Sequence, residues 1–479
     1  MIRKGLPGGS FKPLTEESVR MVHQTVIRII EEVGFEINSE TALELFEGAG
    51  ARVDRERRRV CLPQNRVMEL IDMAPSEIRL CGQDEKHDIL LGGQRVYAGT
   101  GGTALYVYHP DTGEKKPATL EDLKRIARLV DGLDNIHFFL LPTYPNELAP
   151  GRVDVNRFFA GLDNTTKHVM GGVYTIDGVK QVIRMAETVA GSAERLRQRP
   201  LISMIACSIS PLKMDGTYGD LLVPIAKSGI PVACPAEPLC GATSPVTLAG
   251  NLTIQTVDSL MGVMLAQIIN PGAPVILGSV ATNTDLTDLK YLAGSVEMGL
   301  LNAAGAQMAQ FYKLPFYATG GMTDSKVLDA QSGYESAITG LLCALAGANF
   351  IHDAAGLMEF AMTVCYEKYV IDNDILGMVM RAVEGIRVND DTLAFDLIKQ
   401  VGPGGNFVAA KHTRRFMRSE HYQPSLSDRD SRDEWEAKGG KTTWERASQR
   451  VEEIIANHDY SLPAPVRQQV LSEITGIVG

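Results

Sequence analysis

The chain has 479 residues, 44% of them hydrophobic and 22% charged, with a formal net charge of −11. That is a globular composition, long enough for one large domain with additions or for two to three domains. The acidic balance gives no electrostatic reason to expect nucleic acid or an anionic membrane as a partner. The stretch MIRKGLPGGSFKPLTEESV has no apolar core of a secretory signal, and no uninterrupted run of about 18 apolar residues is present to span a bilayer. Seven cysteines, at 61, 81, 207, 234, 240, 343 and 365, are scattered without a CxxC pair. They are expected as buried, reduced thiols of a cytoplasmic protein, with no metal site among them.

Residues 1–95 read as an N-terminal α/β layer. LTEESVRMVHQTVIRIIEEVG sets Val19, Val22, Val26, Ile29 and Ile30 on one helical face and ends at Gly34. A second helix (SETALELFEGAG), the strand-like RRRVCLP, a third helix over 63–73 and the β-like runs IRLCG and DILLGGQRVYAG follow.

Over 96–360, short apolar strands alternate with helical patterns. The strands are RVYAGTGG, IHFFLLPTYP, KHVMGGVYT, RPLISMIACSIS, IPVACPAEP, APVILGSVAT, LPFYATGG and ANFIHDAAG. Helices such as TLEDLKRIARLVDGL, TLAGNLTIQTVDSLMGVMLAQIINPG and DLKYLAGSVEMGLLNAAGAQMAQFYK lie between them. Nearly all-apolar strands belong to a parallel sheet covered on both faces. Eight such units over about 260 residues match a (β/α)8 TIM barrel, so the fold class expected is α/β. Residues 361–479 are expected as a helical C-terminal extension packed on the barrel, closing with WERASQRVEEIIANH. An open doubly wound sheet is the competing arrangement. GTGGTA fits a dinucleotide fingerprint, but the strand-and-turn pattern LYVYHPDTGEKK follows where a helix is needed.

A barrel keeps its site at the carboxyl ends of the strands. Those ends carry Tyr97 and Thr100, Thr143 and Tyr144, Tyr174, Ser208 and Ser210, Glu237, Ser279 and Thr282, Thr319 with the 320–326 loop, and His352 with Asp353. The set is rich in tyrosine and acid and nearly without base, which argues against a phosphate substrate. Aromatic faces and carboxylates suit a quaternary ammonium, which has no N–H to donate. Each tyrosine is also readable as a core residue with a satisfied hydroxyl, His352 as a structural hydrogen bonder, and Asp324 as a helix cap. Lys326 has three readings: a loop lysine, a partner of Asp324 or Glu335, or an amine that forms a Schiff base.

Longer motifs run in order along the chain: EEVGFEI, AEPLCGATSPVTLAG, GGMTDSKVLDAQSGYES, ALAGANFIHDAAG, CYEKYVIDNDILGM and GPGGNFVAAKHTRRFMRSEHYQPSLSDRDSRDEW. Together they resemble the trimethylamine methyltransferase superfamily. The resemblance implies a (β/α)8 barrel that takes a methyl group from a methylated amine and gives it to the Co(I) of a corrinoid (cobalamin) carried by a separate protein. Archaeal members carry pyrrolysine in the cavity. This chain has ordinary residues throughout, so it is similar to the non-pyrrolysine branch, several members of which demethylate quaternary amines such as glycine betaine, carnitine or proline betaine.

On that footing Glu237, His352 and Asp353 are expected to be catalytic. Tyr97, Tyr144 and Tyr174 are expected to wall the cation. Ser210, Thr282, Thr319, Asp324 and Lys326 are expected at the substrate. Holding the cation too tightly favours the ground state, because its charge vanishes as the methyl leaves. A grip on the other end of the substrate, such as a betaine carboxylate, is therefore expected from Ser210, Thr282, Lys326 and His352. The partners expected are a small methylated amine, a corrinoid protein and further copies of the chain, with no nucleic acid, no membrane and no tightly bound metal. Trimethylamine demethylation, a Schiff-base lyase or aldolase barrel built on Lys326, and a non-catalytic betaine-binding protein are the alternatives.

Overall fold

The apolar runs between residues 95 and 352 pair side by side almost in chain order. In the computed structural model, which describes residues 2–478, they form β1 (Arg95–Ala98), β2 (Phe139–Leu140), β3 (Val169–Gly172), β4 (Ile202–Ile205), β5 (Val232–Ala236), β6 (Val275–Ser279), β7 (Phe316–Thr319) and β8 (Phe350–His352). Parallel pairing runs from β2 to β8 in sequence and then from β8 to β1. A ninth strand, Leu6–Pro7, lies antiparallel against β1. The result is a curled, mostly parallel sheet.

A helix follows each of the eight strands: α1 (Leu120–Asp131), α2 (Pro150–Asn164), α3 (Ile176–Ala190), α4 (Gly216–Ser228), α5 (Leu248–Ile269), α6 (Val296–Tyr312), α7 (Ala330–Ala346) and α8 (Tyr366–Glu384). α5 is long and apolar enough to cross a membrane, but 83% of its apolar window is buried. It is covered by the N-terminal helices Glu16–Arg28, Glu40–Gly48 and Gln64–Asp72. The C-terminal helix Thr443–Ala456 packs across α8 and α1.

Side chains alternate across a strand, so residues two apart share a face. On the concave face Tyr97, Leu140, Met170, Ala233, Ile276, Tyr317 and Phe350 form one apolar cluster. The hairpin of Ile78–Leu80 and Ile89–Leu91 inserts into the same cluster from the amino-terminal end. Phe138, Phe350, Tyr317 and His352 stack in series, with successive ring centroids 3.5, 5.5 and 3.9 Å apart.

Three elements differ from the sequence reading. The helix expected from Asp288 begins at Val296, where the Ser295 hydroxyl accepts from the Met298 amide. Thr284–Asp285 and Lys290–Tyr291 form an antiparallel hairpin in its place. A further helix, Ala464–Glu473, follows Pro463 beyond the one expected to be last. Tyr106–His109 and Glu114–Pro117 are a hairpin, as the strand-and-turn pattern requires. Leu357–Met358 and Thr363–Val364 extend it to a four-stranded cap beside the carboxyl ends of β1 and β8.

Tyr97, expected as a wall of the site, lies at the other end. Its hydroxyl donates to the Arg3 carbonyl at 2.9 Å and accepts from the Gly5 and Leu90 amides at 3.0 and 3.3 Å. Tyr97→Phe removes all three bonds and should cost about 1–3 kcal/mol of stability in urea unfolding, while leaving the KM for any substrate unchanged.

Candidate active site

Period-two counting from the concave cluster continues past the carboxyl ends of the strands. Cys207 follows Ile205 on the same face, Glu237 follows Ala233 and Pro235, and His352 follows Phe350. These side chains surround a cavity of about 420 Å³, also lined by Thr103, Leu140, Leu239, Val280, Tyr291, Tyr317, Asp353, Phe360 and Ala361. Glu237 lines this cavity and is solvent-exposed through it, although many protein atoms crowd its carboxyl. Burial, reinforced by the nearby Asp353 carboxylate, pushes its carboxyl up to about 7. Among the described residues, no side chain donates a hydrogen bond to it, and no lysine or arginine lines the cavity.

His352 is fixed by its neighbours. The Thr319 hydroxyl donates its one proton to the Ser279 carbonyl at 2.8 Å. Its contact of 2.6 Å with His352 Nε2 is therefore an acceptance from an Nε2–H. The other ring nitrogen, Nδ1, lies 2.9 Å from Asp353 Oδ1, but off the line of a good hydrogen bond, so both buried atoms lack a well-directed partner. Asp353 itself has a left-handed backbone at φ 61°, a strained conformation of the kind that collects at functional sites. A Cβ on Gly101 would stand 2.0 Å from its Oδ1, so only glycine lets the carboxylate sit there.

Three aromatic residues face the cavity. Tyr317 arrives on β7 and Tyr291 on the 284–291 hairpin. Burial holds both phenols well above their ordinary pKa, so they stay protonated, and neither hydroxyl bonds another described residue. Phe360 arrives on the turn of the cap, where Glu359, Phe360 and Ala361 are all left-handed, with φ of 50°, 59° and 66°. Lys326 holds Phe360 from behind: its ammonium sits 4.4 Å from the ring centroid and donates to the Asp324 carbonyl at 2.8 Å.

Residues 2–474 match the family model described as trimethylamine methyltransferase (MTTB). The chain belongs to the trimethylamine methyltransferase family. It is 38% identical over 464 residues to trimethylamine methyltransferase MttB of Desulfitobacterium hafniense, covering 97% of this chain and 92% of that protein. It is 34% identical over 446 residues to the glycine betaine methyltransferase of Desulfitobacterium hafniense strain Y51, covering 93% and 92%. The solved monomethylamine methyltransferase of Methanosarcina barkeri aligns over 91% of this chain and 92% of its own at 10% identity and a TM-score of 0.46.

In this family member the expected site residues divide into three groups. Glu237, His352 and Asp353 line the cavity together. Thr319, Thr282 and Asp324 stand behind it. Thr319 orients His352, as above. The Thr282 hydroxyl donates to the Leu292 carbonyl at 2.7 Å. The Asp324 carboxylate accepts from the Ala293 and Gly294 amides at 2.8 and 3.1 Å. Both therefore fix the segment that delivers Tyr291.

The remaining residues are engaged elsewhere. Ser210 donates to the buried Asp258 at 2.6 Å. Tyr144 and Tyr174 pack edge to face, 5.8 Å apart, outside the lining, and the Tyr174 hydroxyl accepts from the fully buried Arg157 at 3.1 Å. Lys326 is outside the lining as well. Among the described residues, no group of three or more His, Cys, Asp or Glu side chains is placed to hold a metal ion. Six cysteines are buried, and Cys207 opens onto the cavity.

A carboxyl raised to about 7 is neutral below that pH and anionic above it. Cation affinity should therefore rise about tenfold between pH 6 and 8. Asp353 and His352 face the same space, as do Tyr291, Tyr317 and the Cys207 thiol, which burial also keeps protonated. Calorimetric titration with tetramethylammonium should show the rise in the native protein and lose it in Glu237→Gln.

Proposed function

We propose that this chain transfers a methyl group from a methylated amine, a quaternary one in particular, to the Co(I) of a corrinoid carried by a partner protein. The observation that carries this reading is the lining of the cavity: the aromatic rings of Tyr291 and Phe360, the edge of Tyr317, whose faces stack on Phe350 and His352, and an uncompensated carboxylate, in a member of this family. Each well-placed ring adds on the order of 0.5–2 kcal/mol to the binding of a cation.

We also infer that the curled sheet closes into a (β/α)8 barrel. Parallel bridges between Gly99 and Phe138 and between Ala104 and Thr143 support closure, as does the His137 amide donating to the Ala98 carbonyl at 2.7 Å. The cavity then opens at the carboxyl face. Exposed apolar side chains on the loops there, Tyr174, Ile209, Val246, Leu286 and Leu289, suit contact with the protein that carries the corrinoid.

The chemistry asks little covalent work of the protein. A quaternary nitrogen leaves as a neutral tertiary amine and needs no proton. Co(I), when brought in, supplies the nucleophile. The residues here orient the methyl group towards the mouth and keep water away from it. Glu237 attracts the cation in the ground state, and that attraction fades in part as the charge is lost, so it lowers KM and, to the extent that it fades, kcat as well. Lys326 is turned onto Phe360 and the Asp324 carbonyl, which disfavours a Schiff-base role.

Mixing the protein with Co(I)-cobalamin and a panel of methylated amines tests the reading through the absorbance of methylated cobalamin. At least one quaternary amine should turn over, and Phe360→Ala should lower kcat/KM about tenfold through the lost ring. Folded protein that methylates cobalamin from no amine, or that yields a borohydride-trapped adduct on Lys326, would contradict it.

A further inference from the structure

We infer that the cavity selects a quaternary ammonium that carries no anionic group, a choline- or tetramethylammonium-like cation, over a betaine. The inference rests on the methyl-transfer reading for the site but not for its test. A substrate carboxylate needs a cation or a set of free hydrogen-bond donors once it leaves water. Around this cavity every basic group is turned elsewhere.

Lys326 lies on the Phe360 ring and the Asp324 carbonyl. Lys115 pairs with Glu359 at 2.6 Å. Arg157, fully buried behind Thr103, spends its guanidinium on the Thr103 hydroxyl at 3.2 Å, the Leu141 carbonyl at 2.9 Å and the Tyr174 hydroxyl at 3.1 Å. His352 has one nitrogen on Thr319 and the other facing Asp353. Ser210 and Thr282, the neutral donors that a betaine would require, are bound to Asp258 and to the Leu292 carbonyl.

What does face the cavity is of the opposite character. Glu237 and Asp353 would repel a third carboxylate in a space of about 420 Å³. The Tyr291 and Tyr317 hydroxyls are neutral and unengaged. They can donate to a hydroxyl tail, to water or to a carboxylate, but they carry no charge to offset the repulsion of that carboxylate by Glu237 and Asp353. The specificity-determining residue is thus Glu237, with Tyr291 and Phe360 as the walls of the cation and the Tyr317 hydroxyl at its side.

Two measurements on the whole protein separate this inference from the methyl-transfer reading. Calorimetric titration compares tetramethylammonium, choline, glycine betaine and carnitine at pH 8. Methylation of Co(I)-cobalamin compares the same four. The carboxylate-free cations should bind and react at least tenfold better than the zwitterions, and Glu237→Gln should narrow that ratio by weakening the cations alone. Glycine betaine or carnitine binding as tightly as choline would overturn the inference, whether or not methyl transfer is seen. So would a failure of all four to bind. Preferential binding of the cations without transfer from any of them would uphold the charge selection and count against the methyl-transfer reading instead.

Discussion

A carboxylate that faces apolar and aromatic side chains with no basic partner draws a cation towards it. Glu237 is such a group: it reaches solvent through the cavity and has no lysine or arginine in the lining. A second acid stands opposite, no hydrogen-bond donor relieves it, and the charge that would relieve it has to come with the ligand. On the proposed reading, this carboxylate would give the site its selectivity for a cation. It also makes occupancy sensitive to proton concentration near neutrality, because the same carboxyl can discharge its strain by taking up a proton.

Holding that arrangement takes a layer of polar residues outside the cavity lining. Thr319 fixes the ring of His352 through a hydroxyl already committed to the Ser279 carbonyl. Thr282 and Asp324 tie down the 292–294 backbone, and so fix where Tyr291 stands. Gly101 leaves room for the Asp353 carboxylate, and Gly321, at φ 100°, passes so close to Ala354 that a Cβ would stand 2.6 Å from its Cα. Lys326 belongs to this layer. Its charge supports an aromatic wall from outside the cavity, which accounts for a lysine at a strand–helix junction without giving it covalent work.

The eight strands were legible because each is a short apolar run bounded by turn residues, and all eight fall within the stretches read from the sequence. Glu237, His352 and Asp353 were legible because strand ends converge on one mouth. Tyr317 and Cys207 carried a signal that strand-end reading alone does not use: they continue the inward, period-two positions of β7 and β4. Tyr291 was hidden by its surroundings. DLKYLAG passes for the first turns of a helix, and only the capping by Ser295 and the ladder between Thr284–Asp285 and Lys290–Tyr291 show otherwise. Phe360 had no local signal, since a run of three left-handed residues without glycine is held by tertiary contacts that a sequence does not display. Tyr97 misled for a related reason: it shares the inward face of its strand but sits at the foot of the sheet, where its hydroxyl ties down the N-terminal segment.

In the proposed function a methylammonium cation rests between Glu237 and the aromatic groups of Tyr291 and Phe360. A crystal structure of the protein grown with tetramethylammonium at pH 8 would show where that cation sits. Density for it is expected inside the cavity, against those two rings and beside the Glu237 carboxylate. An empty cavity, or density for the cation only at the outer pair Tyr144 and Tyr174, would contradict it.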